Sequence, residues 1–221
     1  MNSHPPLTAV NRLVVVDDHP FMRRGLIHSI NSQPGLKACG EAESAENALQ
    51  VVQQVRPDVV ITDIALPGKN GLELVKDLQA FDPTLPVVVL SMHDESIYAE
   101  RALRAGAKAY VMKQEGPDTL FVAIDKVLAG EVYVSEKVSG CILLRLGGSK
   151  DSNAPIRILT DREFEVFRLI GEGKNAKQTA LKLHVSPKTI DSHRANIRGK
   201  LNLSNSHALA LYAVRWIESE K

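Results

Sequence analysis

Five side chains that can bind a cation or an anion follow short apolar stretches in the N-terminal two thirds of the chain: Asp17, Asp18, Asp63, Ser91 and Lys113. Crowded carboxylates repel one another unless a cation or a proton compensates their charge. Three of them together would destabilise the fold, so a purely structural role is disfavoured. Their hard oxygen atoms suit Mg²⁺, which binds one or two carboxylates and completes its shell with water or phosphate oxygens. If the fold brings these residues together, the pattern indicates a magnesium site beside a hydroxyl and an ammonium group.

The apolar stretches predict five β-strands, with amphipathic helices between them. The strands are expected at residues 13–16, 36–41, 59–62, 87–90 and 109–112. They are nearly continuous in apolar residues, as in a sheet that helices cover on both faces. Ser44 is the expected N-cap of one helix, over 44–55. Alternating strands and helices predict an α/β doubly wound, five-stranded parallel sheet, in which ligands bind beyond the carboxyl ends of the strands.

A change in composition predicts a boundary between two domains. Residues 147–156 are rich in Gly, Ser, Asn and Asp, as a flexible linker is, so we place the domains at 1–146 and 157–221. From Pro155 onward the chain carries 12 Lys and Arg against 7 Asp and Glu, whereas the residues before it carry 15 against 19. The basic C-terminal part favours a polyanionic partner such as nucleic acid.

The C-terminal domain is predicted to be small and entirely helical. Thr160 and Glu163 have the spacing of a capping box, and Ser186 before a proline opens a later helix. One face of that later helix carries its core residues, Ile190, Ile197 and Leu201. The opposite face has small and polar side chains flanked by Lys and Arg, which is what reading of the DNA major groove requires. A solvated polar face is the alternative interpretation.

The motifs of the N-terminal domain, taken in order, resemble the receiver domain of two-component response regulators. They are VVVDDHP, VVITDIALPGKNG, VVVLS and KAYVMK, and the similarity covers roughly residues 13–129. The resemblance implies a flavodoxin-like fold in which Asp63 is the phosphoacceptor. The implied Mg²⁺ ligands are Asp17, Asp18, Asp63 and the backbone carbonyl of Ala65. The implied switch residues are Ser91 and Tyr110, and Lys113 would pair with the phosphoryl group.

The C-terminal domain resembles the LuxR-type helix-turn-helix over residues 159–214, through LTDREFEVFRLIGEGK and VSPKTIDSHRANIRGKL. Together the two resemblances identify the chain as a member of the NarL/FixJ group. They imply DNA contacts by Lys188, Thr189, Asp191, Ser192, His193, Ala195 and Lys200. Asp191 departs from the pattern, since the group commonly has Lys there. The last helix resembles a pairing segment that includes Ala208, Leu209 and Tyr212, with core packing as the alternative for these residues.

The two resemblances together imply a transcription regulator that binds double-stranded DNA after a sensor histidine kinase phosphorylates Asp63. An orphan DNA-binding or protein-interaction module that works without phosphorylation is the alternative. Control by shielding of the DNA-binding domain and control by homodimer formation both stay open. A phosphatase of the haloacid dehalogenase type needs a second carboxylate two residues after its nucleophile, where this chain has Ala65. The chain is therefore not expected to be an enzyme.

Two further expectations concern location and His19. No stretch approaches the roughly 18–20 apolar residues of a membrane helix. The first dozen residues also lack a basic leader and an apolar core, so a cytoplasmic protein without membrane contact is expected. His19 is expected to lead into the first helix rather than to act as a base or a metal ligand.

Overall fold

The computed structural model describes residues 10–92, 94–146 and 154–219, which belong to two compact units. The first unit extends to Leu144 and the second begins at Arg145. Residues 147–153 of the predicted linker lie outside the described residues. Its last residues belong to a 3₁₀ helix, Ala154–Ile158, in which Ile156 is only 2% exposed. That end of the predicted linker is therefore helical, and the buried Ile156 packs it against its surroundings. The domain boundaries at 146 and 157 stay a prediction.

The N-terminal unit is a five-stranded parallel sheet flanked by helices, which confirms the predicted fold class. Its strands are β1 Asn11–Val16, β2 Leu36–Ala42, β3 Val59–Thr62, β4 Val87–Ser91 and β5 Ala109–Met112. Its helices are α1 Pro20–Ser32, α2 Ala45–Val55, α3 Gly71–Phe81, α4 Glu95–Ala105, α5 Pro117–Leu128 and α6 Glu136–Leu146. The strand order β2-β1-β3-β4-β5 reverses at β1, which creates a crevice at the carboxyl ends of β1 and β3.

Burial on both faces explains why the central strands are almost purely apolar. All residues of β3 and β4 are buried, and one face of the sheet packs against Ile30 of α1 and Ile124 of α5. β1, β2 and β4 are each longer than predicted by one or two residues. The longer β4 ends on Ser91, so this side chain lies on the strand itself rather than after it.

β5 lies at one edge of the sheet, and a segment that precedes α6 covers part of that edge. The backbone N–H of Tyr110 donates to the carbonyl oxygen of Tyr133 at 3.0 Å, and the N–H of Tyr133 donates to the carbonyl of Lys108 at 2.9 Å. Tyr133 also forms a single parallel bridge with Ala109. These bonds take up backbone groups that an edge strand would otherwise present to solvent.

The described residues of the C-terminal unit form helices joined by short loops, with no strand among them. Its helices are α7 Asp161–Gly171, α8 Ala176–Lys182, α9 Pro187–Lys200 and α10 Ser206–Ser219. The predicted capping box of α7 and the predicted Ser186 cap of α9 are both confirmed. α7 packs on α10 through aromatic contacts, in which Trp216 lies 5.5 Å from the ring of Phe164 and 5.7 Å from that of Phe167.

Two polar contacts join α7 to the other helices of this unit. Lys200, at the end of α9, donates to Glu163 Oε2 at 2.7 Å, and the same carboxylate accepts from the backbone N–H of Thr160 at 2.8 Å. Arg162 donates to Glu165 Oε2 at 2.8 Å and to the carbonyl of Leu183, after α8, at 2.6 Å. Both acidic side chains are at most 8% exposed, so these bonds provide the partners that buried carboxylates need.

Replacing Gly71 should destabilise the N-terminal unit, because a Cβ there would lie 1.9 Å from the carbonyl oxygen of Asp63. We expect Gly71→Ala to cost about 1–3 kcal/mol of unfolding free energy, as overpacking does. The matched control is Gly25→Ala, inside α1, where a Cβ would meet no atom within 4 Å. This change should stabilise the unit by about 0.5–1 kcal/mol, because alanine favours a helix interior. Urea unfolding followed by circular dichroism measures both, and equal effects of the two variants would contradict the prediction.

Removing the Lys200 ammonium should destabilise the C-terminal unit. Burial raises the pKa of Glu163, but hydrogen bonds from Lys200 and Thr160 outweigh it and hold that pKa below its usual value. Lys200→Ala leaves the buried carboxylate without its charged partner, which should cost about 1–3 kcal/mol. Urea unfolding followed by Trp216 fluorescence measures this, with the exposed Lys188→Ala as control.

The same ion pair predicts a pH dependence of that stability. A carboxyl whose pKa falls on folding stabilises the folded state above its unfolded pKa, here near 4.5, and this contribution is lost as the pH falls through the folded pKa. The wild-type unit should therefore lose stability on acidification below about pH 4.5, and Lys200→Ala should lose less over the same range. Parallel acid titrations of the two proteins test this explanation. An equal or larger loss of stability in Lys200→Ala would refute it.

Candidate functional site

The carboxyl ends of the strands bring together the polar side chains that the sequence analysis singled out. Asp17 follows β1, Asp63 follows β3 and Ser91 ends β4, and their exposed fractions are 1%, 5% and 0%. Backbone bonds fix the two strand ends, because Asp17 N–H donates to the Ala42 carbonyl at 3.1 Å and Asp63 N–H to the Val16 carbonyl at 2.9 Å. The two carboxylates are therefore held at one edge of the sheet by the strands that precede them.

Lys113, directly after β5, connects the two buried carboxylates. Its Nζ lies 2.6 Å from Asp17 Oδ2 and 2.6 Å from Asp63 Oδ2. Burial disfavours the ammonium form, but the two carboxylates outweigh it and raise the pKa of Lys113. Burial also raises the pKa of Asp63, and Lys113 opposes this only in part. The site thus contains a fixed cation beside a carboxylate that is poorly solvated.

Asp18 contributes the oxygen that is left for a metal ion. Among the described residues Asp18 Oδ1 is buried and makes no hydrogen bond, although His19 Nδ1 approaches it at 2.7 Å without hydrogen-bond geometry. One ligand atom from each of Asp17, Asp18, His19 and Asp63 lies within 4.8 Å of the others. A carboxylate oxygen that makes no hydrogen bond, beside two further carboxylates, fits a hard divalent cation such as Mg²⁺.

The loop after Asp63 and the residue after Asp18 complete the surroundings of this acidic pocket. Ala65 N–H donates to Asp63 Oδ1 at 3.3 Å, which places the loop beside the acceptor carboxylate. The role of the Ala65 carbonyl as a metal ligand stays a prediction. His19 is the N-cap of α1, as expected, and its side chain is 71% exposed, but its ring nitrogen belongs to the carboxylate cluster.

Tyr110, one of the two implied switch residues, lies inside the unit. Its exposed fraction is 2%. Burial raises the pKa of its phenol, and a hydrogen bond with Ser91 opposes this in part. The inward position follows from the packing of the ring in the core, and the switch role of the pair stays a prediction.

One contact of the acidic pocket was missed in the sequence. Arg23, in the first turns of α1, donates to the carbonyl oxygen of Asp17 at 2.6 Å and to Glu41 Oε2 at 2.8 Å. Its side chain is 14% exposed. The signal that could have found it is its place, one helical turn after Pro20, where a long side chain reaches back to the preceding strand end.

α9 presents most of the residues that were predicted to contact DNA. Lys188, Asp191, Ser192 and Ala195 are exposed, and Thr189 and His193 are partly exposed. Lys200 is also exposed, at 37%, but it differs because its ammonium is bonded to Glu163. The helix is therefore suited to DNA contact along its first three turns, whereas Lys200 has a structural partner within the unit.

Burial favours core packing for one residue of the predicted pairing face of α10, because Leu209 is 0% exposed. The pairing role of this face stays a prediction. Tyr212 is partly buried and its ring lies 5.9 Å from that of Phe167, so core packing accounts for much of its surface. Ala208 is partly exposed. The apolar side chains that α10 does expose are Leu211 and Val214, at 46% and 36%.

Two family models match the chain. The response regulator receiver domain matches residues 13–125, and the LuxR family of bacterial regulatory proteins matches residues 157–213. The response regulator GacA of Pseudomonas viridiflava is 34% identical over 204 residues, which are 92% of this chain and 95% of GacA. The oxygen regulatory protein NreC of Staphylococcus haemolyticus is 33% identical over 210 residues, which are 92% of this chain and 97% of NreC.

Solved structures agree with these matches. RcsB from Salmonella enterica serovar Typhimurium, bound to the promoter rprA in the presence of the phosphomimetic BeF₃⁻, is 28% identical with a TM-score of 0.62. The match covers 92% of this chain and 98% of RcsB. Among the described residues, no helix is both long and apolar enough to cross a bilayer. The relatives are transcriptional regulators and not enzymes. The chain belongs to the two-component response regulators, in the NarL/FixJ group that joins a receiver domain to a LuxR-type helix-turn-helix.

Proposed function

We propose that the protein is a cytoplasmic transcription regulator that a sensor histidine kinase phosphorylates on Asp63, in a Mg²⁺-dependent step, and that phosphorylation controls its binding to double-stranded DNA. The observation that carries this proposal is the Lys113 ammonium held 2.6 Å from Asp63 Oδ2, near an Asp18 oxygen that makes no hydrogen bond among the described residues. A carboxylate, a cation and a free metal ligand at one strand edge are the parts that phosphoryl transfer requires.

Each residue of the acidic pocket has a different role in the transfer of the phosphoryl group. An oxygen of Asp63 forms the bond to phosphorus as the bond between phosphorus and the donor breaks. Lys113 leaves Asp63 Oδ2 and binds an oxygen of the transferred group, which compensates its negative charge. Asp18, Asp17 and Asp63 would hold Mg²⁺, which supplies further charge neutralisation when bound. Three carboxylates and one ammonium leave a formal charge of −2, so the pocket suits a divalent cation.

The product changes the charge of the pocket, and this change is the signal. An acyl phosphate carries more negative charge than the carboxylate that it replaces and adds strong hydrogen-bond acceptors. Ser91, fully buried at the end of β4, has a hydroxyl that can donate to one of them. Ser91 is also hydrogen-bonded to Tyr110. A movement of Ser91 toward the phosphoryl group would therefore be transmitted to β5.

The DNA-binding step rests on α9 and on pairing of two molecules. The exposed polar residues of α9 face outward for the major groove, and the solved RcsB–DNA complex supports this use of the fold. In another solved structure, two RcsB dimers are bound to two parallel DNAs. We assign pairing of this chain on DNA to α10, because its Leu211 and Val214 are exposed apolar side chains. Pairing would raise the affinity for DNA, since a dimer binds two half-sites at once.

Phosphorylation is tested by acyl phosphate labelling of the full chain with Mg²⁺ and a small phosphoryl donor. Wild-type protein should gain one acid-stable, base-labile phosphoryl group, and Asp63→Asn none, because an amide cannot form the acyl phosphate. Asp18→Ala should lose most labelling. The matched control is Asp58→Asn, at the opposite end of β3, which should label like wild type. Full labelling of Asp63→Asn would place the acceptor elsewhere and favour the orphan module.

DNA contact is tested by the salt dependence of binding. Lys188→Ala should weaken binding to all sequences and reduce the slope of log K against log salt by about one unit, since one fewer counterion is released. Ser192→Ala should instead change the preference at one base position, by about 1–3 kcal/mol for a direct contact. Lys126→Ala in α5 removes the same charge from the receiver unit and is the control. An unchanged affinity and slope in both α9 variants would show that α9 does not bind DNA.

A further inference from the structure

Every polar group of Asp17 in the acidic pocket has a partner, and one of them comes from a residue without an assigned role. Oδ2 accepts from Lys113 at 2.6 Å, Oδ1 accepts from the backbone N–H of His19 at 2.8 Å, and the backbone N–H donates to the carbonyl of Ala42 at 3.1 Å. The remaining group, the carbonyl oxygen, accepts from Arg23 at 2.6 Å. Asp17 is thereby fixed at all its polar atoms.

The Asp17 carbonyl and the Asp18 N–H belong to one planar peptide unit. A bond that fixes this carbonyl therefore fixes the plane from which the Asp18 side chain projects. Asp18 Oδ1 makes no hydrogen bond among the described residues, and the His19 Nδ1 that approaches it at 2.7 Å belongs to a side chain that is 71% exposed. The direction of that oxygen depends on the peptide plane, and the Arg23 guanidinium is the side chain that holds the plane.

Glu41 holds the guanidinium in turn. Arg23 Nε donates to Glu41 Oε2 at 2.8 Å, and Glu41 lies on β2, next to β1 in the sheet. The planar guanidinium uses separate N–H groups for the carbonyl and the carboxylate, which a lysine cannot reproduce with the same geometry. α1, β1 and β2 are therefore joined at one point beside the acidic pocket.

We propose that Arg23 is a positioning residue for the divalent cation, acting through the Asp17–Asp18 peptide to hold the Asp18 carboxylate in its binding direction. The proposal rests on the proposed function, since it concerns the metal ion that phosphorylation of Asp63 requires. Outer partners that orient metal ligands typically raise metal affinity 10- to 100-fold. Arg23 contacts the peptide and not the ligand oxygens, so it acts on the ion only indirectly, through Asp18.

The direction in which Mg²⁺ affinity changes when Arg23 is replaced distinguishes a positioning role from a purely electrostatic one. Arg23 is a cation close to a cation site, so removing its charge alone would reduce repulsion and strengthen Mg²⁺ binding. Loss of positioning would weaken it. Arg23→Gln should therefore raise the Mg²⁺ dissociation constant by about 10- to 100-fold, and Arg23→Lys, which keeps the charge but not the geometry, should raise it less.

The test is a Mg²⁺ titration of the full-length protein followed by ¹H–¹⁵N NMR, which reports the integrity of the fold in the same spectra. Arg24→Gln is the matched control, because Arg24 is the next residue of α1, is exposed, and loses the same charge. Its dissociation constant should equal that of wild type. An unchanged or lower constant for Arg23→Gln would overturn the proposal. If Arg23→Gln does not fold, Arg23→Lys decides: a raised constant supports positioning and a wild-type constant refutes it.

Labelling at saturating Mg²⁺ keeps this inference separate from the proposed function. Arg23→Gln should regain acyl phosphate formation as Mg²⁺ is raised, because only the metal affinity is reduced. If wild-type protein is not labelled while the order of dissociation constants holds, the proposed function fails and the role of Arg23 stands. If labelling of wild type succeeds and Arg23→Gln binds Mg²⁺ normally, only the positioning role is refuted.

Discussion

The Lys113 ammonium lies 2.6 Å from carboxylate oxygens of both Asp17 and Asp63, and all three side chains are at most 5% exposed. Removing three charges from water costs free energy that their attraction repays only when the geometry is good. The sheet supplies that geometry, because β1, β3 and β5 are parallel and end at the same edge. Asp18 adds a further carboxylate, so the pocket keeps an excess of negative charge that a divalent cation compensates.

The same interaction links parts of the chain that are far apart in sequence. Lys113 is 96 residues from Asp17 and 50 from Asp63, so the ion pairs can form only after β1, β3 and β5 have assembled. Gly71 shows how tightly the surrounding backbone is packed, since its N–H donates to the Ile64 carbonyl at 2.8 Å and no Cβ fits beside Asp63. Changes near the pocket therefore act on folding as well as on chemistry.

The sequence was sufficient for the sheet and for the residues at its strand ends, because continuous apolar stretches and the polar residues that follow them are local patterns. It was also sufficient for the Thr160 and Ser186 caps, which depend on spacing alone. It could not predict the Arg23 contact, which depends on how α1 lies against β1. Pairing and core packing stayed open for Leu209 because periodicity identifies a helix face but not what covers it, and the structure buries this side chain. Nor could the sequence predict the bond between Lys200 and Glu163, which are 37 residues apart.

The cover that Tyr133 places on β5 has a consequence for self-association. An uncovered strand at the edge of a parallel sheet offers a row of free N–H and C=O groups on which another chain can add a strand, and this is a common start of aggregation. Bonds between Tyr133 and the backbones of Lys108 and Tyr110 occupy that row at the start of β5. Two receivers thus cannot join by edge-to-edge pairing at this point of β5 while Tyr133 stays bound, which leaves side-chain surfaces for reversible contacts.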